Sequence, residues 1–160
     1  MKRVFLAGTT TGTTWRQTVT EQLLARGVAP EQIFNPHLPK GVSYTREHME
    51  LERTVKRDSE TIVLIYVCPA VMEEENLSPE VIRDKTERLG PISMFEIGKF
   101  AYAQPHRTAV VLDSEQFTPS KRPRKVLEGL AQELREDFHG QQPYFASLPE
   151  AISWIADQLT

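Results

Sequence analysis

The chain carries a single cysteine, Cys68, in 160 residues. An internal disulfide is therefore excluded, and no Cys/His spacing of the structural zinc kind accompanies it. No apolar run approaches the about 20 residues that cross a bilayer. Met1-Lys2-Arg3 leads straight into a strand-like run, without the apolar stretch and small-residue cleavage site of a secretory leader. The expected compartment is the cytoplasm. A one-sided charge is missing too. The formal net charge is −3 with both signs interspersed, which gives no electrostatic case for nucleic acid or an anionic membrane as partner. The one basic cluster, Lys121-Arg-Pro-Arg-Lys125, is short, sits at an expected helix start and reads as a solvated loop. Internal repeats, low-complexity tracts, the Walker spacing and the dinucleotide-binding glycine fingerprint are absent as well.

What is present is ordinary globular material, 39% hydrophobic and 26% charged, in a chain long enough to bury a core as one domain over residues 1–160. Arg3 to Gly8 is a short continuous apolar run that stops at glycine, as in a strand buried on both faces. Thr61 to Val67 is the strongest such run, and Arg107 to Asp113 is a third. Gln32 to Asn35 and Tyr144 to Ser147 are shorter strand candidates. Between them lie helical patterns. One has Trp15, Val19 and Leu23 on a face, and another runs from Arg46 to Arg57. A third spans Met94 to Ala103, a fourth carries Val126, Leu127, Leu130, Leu134 and Phe138, and the last has Ile152, Ile155 and Leu159 inward. Strand–helix alternation of this kind predicts a doubly wound flavodoxin/Rossmann-like α/β domain with about five mostly parallel strands. Ligands of such sheets bind beyond the C-terminal strand ends. The Gly8–Thr14 loop, Asn35 and the approach to Glu96 all follow such ends.

Residues 70–92 form a long excursion between core elements, with Ser78-Pro79 as a helix start inside it. An insertion of this length reads as a lid or binding loop. Beyond it comes Gly90-Pro-Ile-Ser-Met-Phe-Glu-Ile-Gly98. Ser93-x-x-Glu96 has the form of a capping box, with Ser93 as N-cap and Glu96 three residues in. That position would put Glu96 in the positive field of a helix start. The threonine-rich loop Thr9 to Thr14 has two readings, an anion- or sugar-binding loop and a simple helix cap. Cys68 reads as a small core residue and Trp15 as core. Arg16 is a possible substrate contact, His37 and His106 are loop histidines, and Tyr66 and Asp113 are candidates for a pocket rim.

Taken in order, Val4 to Gly8, Trp15-Arg16, Asn35-Pro36, Glu52 placed eight residues before Glu60, and Ile92-Ser-Met-Phe-Glu-Ile-Gly98 resemble the nucleoside 2-deoxyribosyltransferase-like proteins over residues 3–115. The resemblance implies that Glu96 is the nucleophile toward C1′ of a sugar and Glu52 the second carboxylate, with Glu50 in reserve and Glu60 where the family has an aspartate. It implies substrate contacts from Gly8, Thr9, Thr10, Thr11, Thr13, Asn35, Ser93 and Gly98, a nucleoside or nucleotide as small-molecule partner, and a homo-oligomer. The chemistry of two carboxylates stands on its own. Breaking an N-glycosidic bond builds positive charge at C1′, which one carboxylate stabilises or traps while another acidic group manages the proton on the departing base. No metal or organic cofactor is required. The expected activity is transfer or hydrolysis at that bond. The alternatives are a non-catalytic nucleotide-binding module with the same pocket, and a protein-binding domain using Val71, Met72 and Val81.

Overall fold

The computed structural model describes residues 1–10, 13–39, 41–72 and 76–160. Five strands form one sheet: β1 (Arg3–Gly8), β2 (Ile33–Phe34), β3 (Thr61–Val67), β4 (Thr108–Leu112) and β5 (Tyr144–Phe145). Their order is β2-β1-β3-β4-β5, and every neighbouring pair is parallel. The helices are α1 (Trp15–Ala25), α2 (Arg46–Arg57), α3 (Pro79–Thr86), α4 (Pro91–Ala103), α5 (Arg122–Asp137) and α6 (Leu148–Leu159). This is the expected doubly wound α/β fold in its flavodoxin-like strand order.

The period of two along each strand decides what each helix covers. Val4, Leu6, Ile62, Leu64, Ala109 and Val111 point to one face, where α1 and α6 close over them. Phe5, Ala7, Val63, Ile65 and Val110 point to the other, under α2, α4 and α5. All seven residues of β3 are buried, as its run of β-branched residues demands of a central parallel strand. The register sets Gly8 opposite Tyr66. A Cβ at Gly8 would stand 2.0 Å from the Tyr66 carbonyl oxygen, and its φ of +119° already favours glycine.

Local chemistry starts each helix. Thr45 caps α2, its hydroxyl accepting from the His48 N–H, while His48 Nδ1 accepts from the Thr45 N–H. Ser78 caps α3 by accepting from the Val81 N–H, with Pro79 following it. Ser147 caps α6 by accepting from the Glu150 N–H, and the Glu150 carboxylate reaches back to the Ala146 N–H.

One expectation is corrected here. The helix bearing Glu96 starts at Pro91 rather than Met94, with Gly90 as its N-cap. Proline suits the first helical position because its φ is preset and its missing N–H would have no partner there. Ser93 therefore lies inside α4, buried, and is not a cap. Glu96 falls in the second turn, beyond the reach of the field at a helix start. No helix among the described residues is long and apolar enough to cross a membrane.

Candidate active site

In the strand order the chain passes from β1 to β2 on one side and to β3 on the other, which opens a crevice beyond the C-terminal end of β1. A cavity of about 510 Å³ occupies that place, within the range of small-ligand sites. Its floor is the end of β1, at Ala7 and Gly8, with Phe5 beneath. One wall is α2, whose Met49, Glu52, Arg53 and Lys56 share a stripe at helical spacing. The facing wall is α4, through Ile92 and Glu96. Pro36, His37 and Leu38 close the side left by β2.

Lys56 is the centre of this arrangement. Its ammonium donates to Glu96 Oε1 at 2.9 Å and lies 3.7 Å from Glu52 Oε2. It also stands 4.8 Å from the centroid of the Phe5 ring. The three charged side chains are each less than a fifth exposed, so water screens them weakly. Two carboxylates from different helices thus meet at one cation, so the three groups carry a formal charge of −1 with both ionised and of zero once one carboxylate takes up a proton. Desolvation first, and the hydrogen-bonded Glu52 carboxylate second, raise the Tyr44 phenol above its ordinary value. Tyr44 is therefore a neutral hydroxyl on the cavity rim beside Glu52.

The loop after β1 is fastened from beneath. Arg16 is buried, and its guanidinium donates to three backbone carbonyls: Leu6 at 3.0 Å, Thr9 at 2.8 Å and Gly8 at 3.2 Å. Burial lowers its pKa to about 10, against the raising pull of Cys68, Glu96 and Glu52. It stays a cation at neutral pH. The Trp15 indole also donates to the Thr9 carbonyl, and the Thr9 hydroxyl exchanges hydrogen bonds with the Cys68 backbone. Burial pushes the Cys68 thiol up to about 11, which keeps it protonated and unreactive.

Against the expected residues, the cavity gathers Glu96, Glu52, Gly8 and Thr10, and also Arg16 and His37. Glu50 pairs with Arg46 on the exposed side of α2 and Glu60 with the N-terminal amine, so neither reaches the cavity. Thr9 and Thr13 serve the loop itself, Thr13 by donating to the Thr9 carbonyl. Thr11 lies outside the described residues. Asn35 is exposed and accepts from the His37 N–H, which turns Pro36–Leu38 toward the cavity without lining it. Ser93 is buried in α4 behind the lining, and Gly98 is on the exposed side of the same helix with open space around it. Tyr66 donates to Asp113 and lies under Trp15, while Asp113 borders a separate cavity past β4. His106 is at another cavity, beside Phe138. Val71 and Val81 are exposed, and a cavity nonetheless adjoins Glu96.

Of the described part of residues 70–92, only Ile92 lines the cavity. The α3 segment is held instead toward the start of α5, by Arg83 donating to Thr118 and by a Lys121–Asp84 ion pair. Sequence reasoning missed Lys56. Its signal was the spacing, one turn beyond Glu52 on the stripe that also holds Met49 and Arg53.

A parallel sheet in this order, with a cavity at its switch point lined by two carboxylates and three cationic side chains, is a flavodoxin-like architecture with room for a small molecule. The family model described as nucleoside 2-deoxyribosyltransferase like matches residues 1–116, and the chain belongs to that family. That span contains every residue of the cavity lining. No curated protein matches the chain.

Proposed function

We propose that the protein breaks the N-glycosidic bond of a nucleoside or nucleoside 5′-monophosphate, with Glu96 as nucleophile. The observation that carries this reading is the meeting of Glu96 and Glu52 on the lining of one cavity, at the same ammonium. Glu96 attacks C1′ as the bond to the base breaks, and the electron pair of that bond leaves with the base nitrogen. Glu52, entering the cycle with the proton that brings the group of three to zero net charge, supplies that proton to the departing base. Water or a second base then attacks C1′, the ester bond to Glu96 breaks, and its electron pair returns to the carboxylate. Glu52 recovers a proton from the incoming group. Hydrolysis and transfer share the first step and differ only in the second nucleophile. The cytoplasm is the compartment proposed for this reaction, and a homo-oligomer the proposed assembly.

Free-base release from a panel of nucleosides and 5′-monophosphates, followed by chromatography with and without an acceptor base, tests the proposal. Glu96→Ala is expected to lose turnover by about 1,000-fold or more, and Glu52→Ala by about 100-fold. A new nucleoside formed from the acceptor marks a transferase. Tight binding without base release by the wild type would overturn the enzyme reading and leave a nucleotide-binding module.

A further inference from the structure

We infer that Lys56 is a positioning residue that gives the two oxygens of Glu96 separate tasks and assists the second half of the reaction. This rests on the reading of Glu96 as nucleophile. Glu96 Oε1 accepts from the Lys56 ammonium at 2.9 Å. Oε2 receives no donor among the described residues, yet it is not one of the buried atoms left without a partner. It is therefore the oxygen open to the cavity, and the one that reaches C1′. Lys56 is held in place from three sides, by Glu96, by Glu52 one turn back on α2, and by the Phe5 ring beneath. A side chain so fixed cannot follow the substrate.

The consequence for the two steps is unequal. In the first, Oε2 forms the bond to C1′ and the base leaves with its electron pair. The ammonium opposes this step slightly, because it draws charge from the nucleophile. In the ester that results, Oε1 is the carbonyl oxygen and remains under Lys56. In the second step a water oxygen attacks C1′, the C1′–Oε2 bond breaks, and its electron pair returns to the carboxylate as the water's proton passes to Glu52. The charge that reappears is shared by both oxygens, and Lys56 is already bonded to one of them. A fixed donor aimed at developing negative charge contributes about 100-fold or more to rate. Lys56 thus makes Glu96 a good leaving group at the cost of some nucleophilicity.

The test compares wild type with Lys56→Met, Lys56→Gln and Lys56→Arg, on whichever nucleoside or 5′-monophosphate of the panel releases base. Base release is followed by rapid mixing, and acid-quenched protein is weighed intact by mass spectrometry. Lys56→Met and Lys56→Gln are expected to show a burst near one equivalent of base, then a steady rate lower by about 100-fold. Apparent KM is expected to fall with kcat, and a protein species heavier by the sugar to accumulate. Lys56→Arg restores the steady rate at least in part. Equal losses in burst and steady rate, or no change in either, would overturn the inference while wild-type turnover keeps Glu96's reading intact. Absence of base release by the wild type removes both, and is seen without any variant. Two neutral replacements guard against one that fails to fold.

Discussion

The two faces of the sheet are built from alternate residues of the same strands and end up with opposite characters. Under α1 and α6 the face is sealed. Val19, Leu23, Ile152 and Ile155 are fully buried there, and polar groups meet it at its edges, where Arg16 secures the loop after β1 and Gln32 donates to the Leu159 carbonyl. Under α2 and α4 the same β1 strand meets a cavity. The cause is the way α2 is attached. Its one buried residue is Val55, near its end, and next to that point the Arg107 guanidinium binds the carbonyls of Lys56, Asp58 and Thr61. Burial lowers the Arg107 pKa, and Asp58 works against that shift. A helix moored at one end leaves the rest of its inner stripe, Met49 to Lys56, free to line a space instead of filling it. The cavity in this fold comes from withholding one helix from full contact.

The largest expected effect separates the faces. Ile152→Ala, on the sealed face, is expected to cost about 3–4 kcal/mol of stability while leaving turnover per folded molecule unchanged. Urea unfolding and active-site titration measure the two parts. A drop in turnover per folded molecule would mean that the faces are coupled. Next comes Gly8→Ala, where a Cβ meets the Tyr66 carbonyl and a positive φ at once. A loss of about 3 kcal/mol is expected, and here activity should fall as well, because the residue ends β1 and floors the cavity. If only stability changes, the loop after β1 is scaffold and nothing more. The smallest effect sharpens the boundary of the site. Gly98→Ala, in the interior of α4 with nothing within contact distance, is expected to gain up to about 1 kcal/mol with base release unchanged. Impaired turnover in that stable variant would bring the outer side of α4 into the site after all.

Much of the fold was legible because its signals are local. The doubly buried runs at β1, β3 and β4 are apolar on both faces, and the limits of α2 and β3 match the expected residues. The short strands β2 and β5 are two residues long, so their expected ends ran past the pairing that the sheet sustains. The start of α4 was misread because two start signals compete within it. Gly90-Pro91 and Ser93-x-x-Glu96 both announce a helix, and the earlier one prevails, since proline sets φ without needing a partner. The site was legible in its carboxylates and less so in its cation. On its own helix Lys56 is an i,i+4 partner of Glu52, which describes many solvated surfaces. That it turns inward depends on the α2 mooring and on Glu96, 40 residues away in sequence. Asn35 and Thr9 carry the opposite lesson. Residue types suited to binding a sugar are also suited to closing turns, and both residues make turn-closing hydrogen bonds here.

The α6 helix lies beyond the span that the family model matches, which ends at residue 116, yet Ala151, Ile152, Ile155 and Leu159 fill the same core as Val4, Leu6 and Leu64 of the matched part. Kinship and foldability are therefore measured by different lengths of this chain. The matched span, residues 1–116, holds every residue of the cavity lining, while α6, outside it, finishes one side of the interior. A chain cut after the matched span would leave Val4, Leu6 and Leu64 without the cover that α6 now gives them.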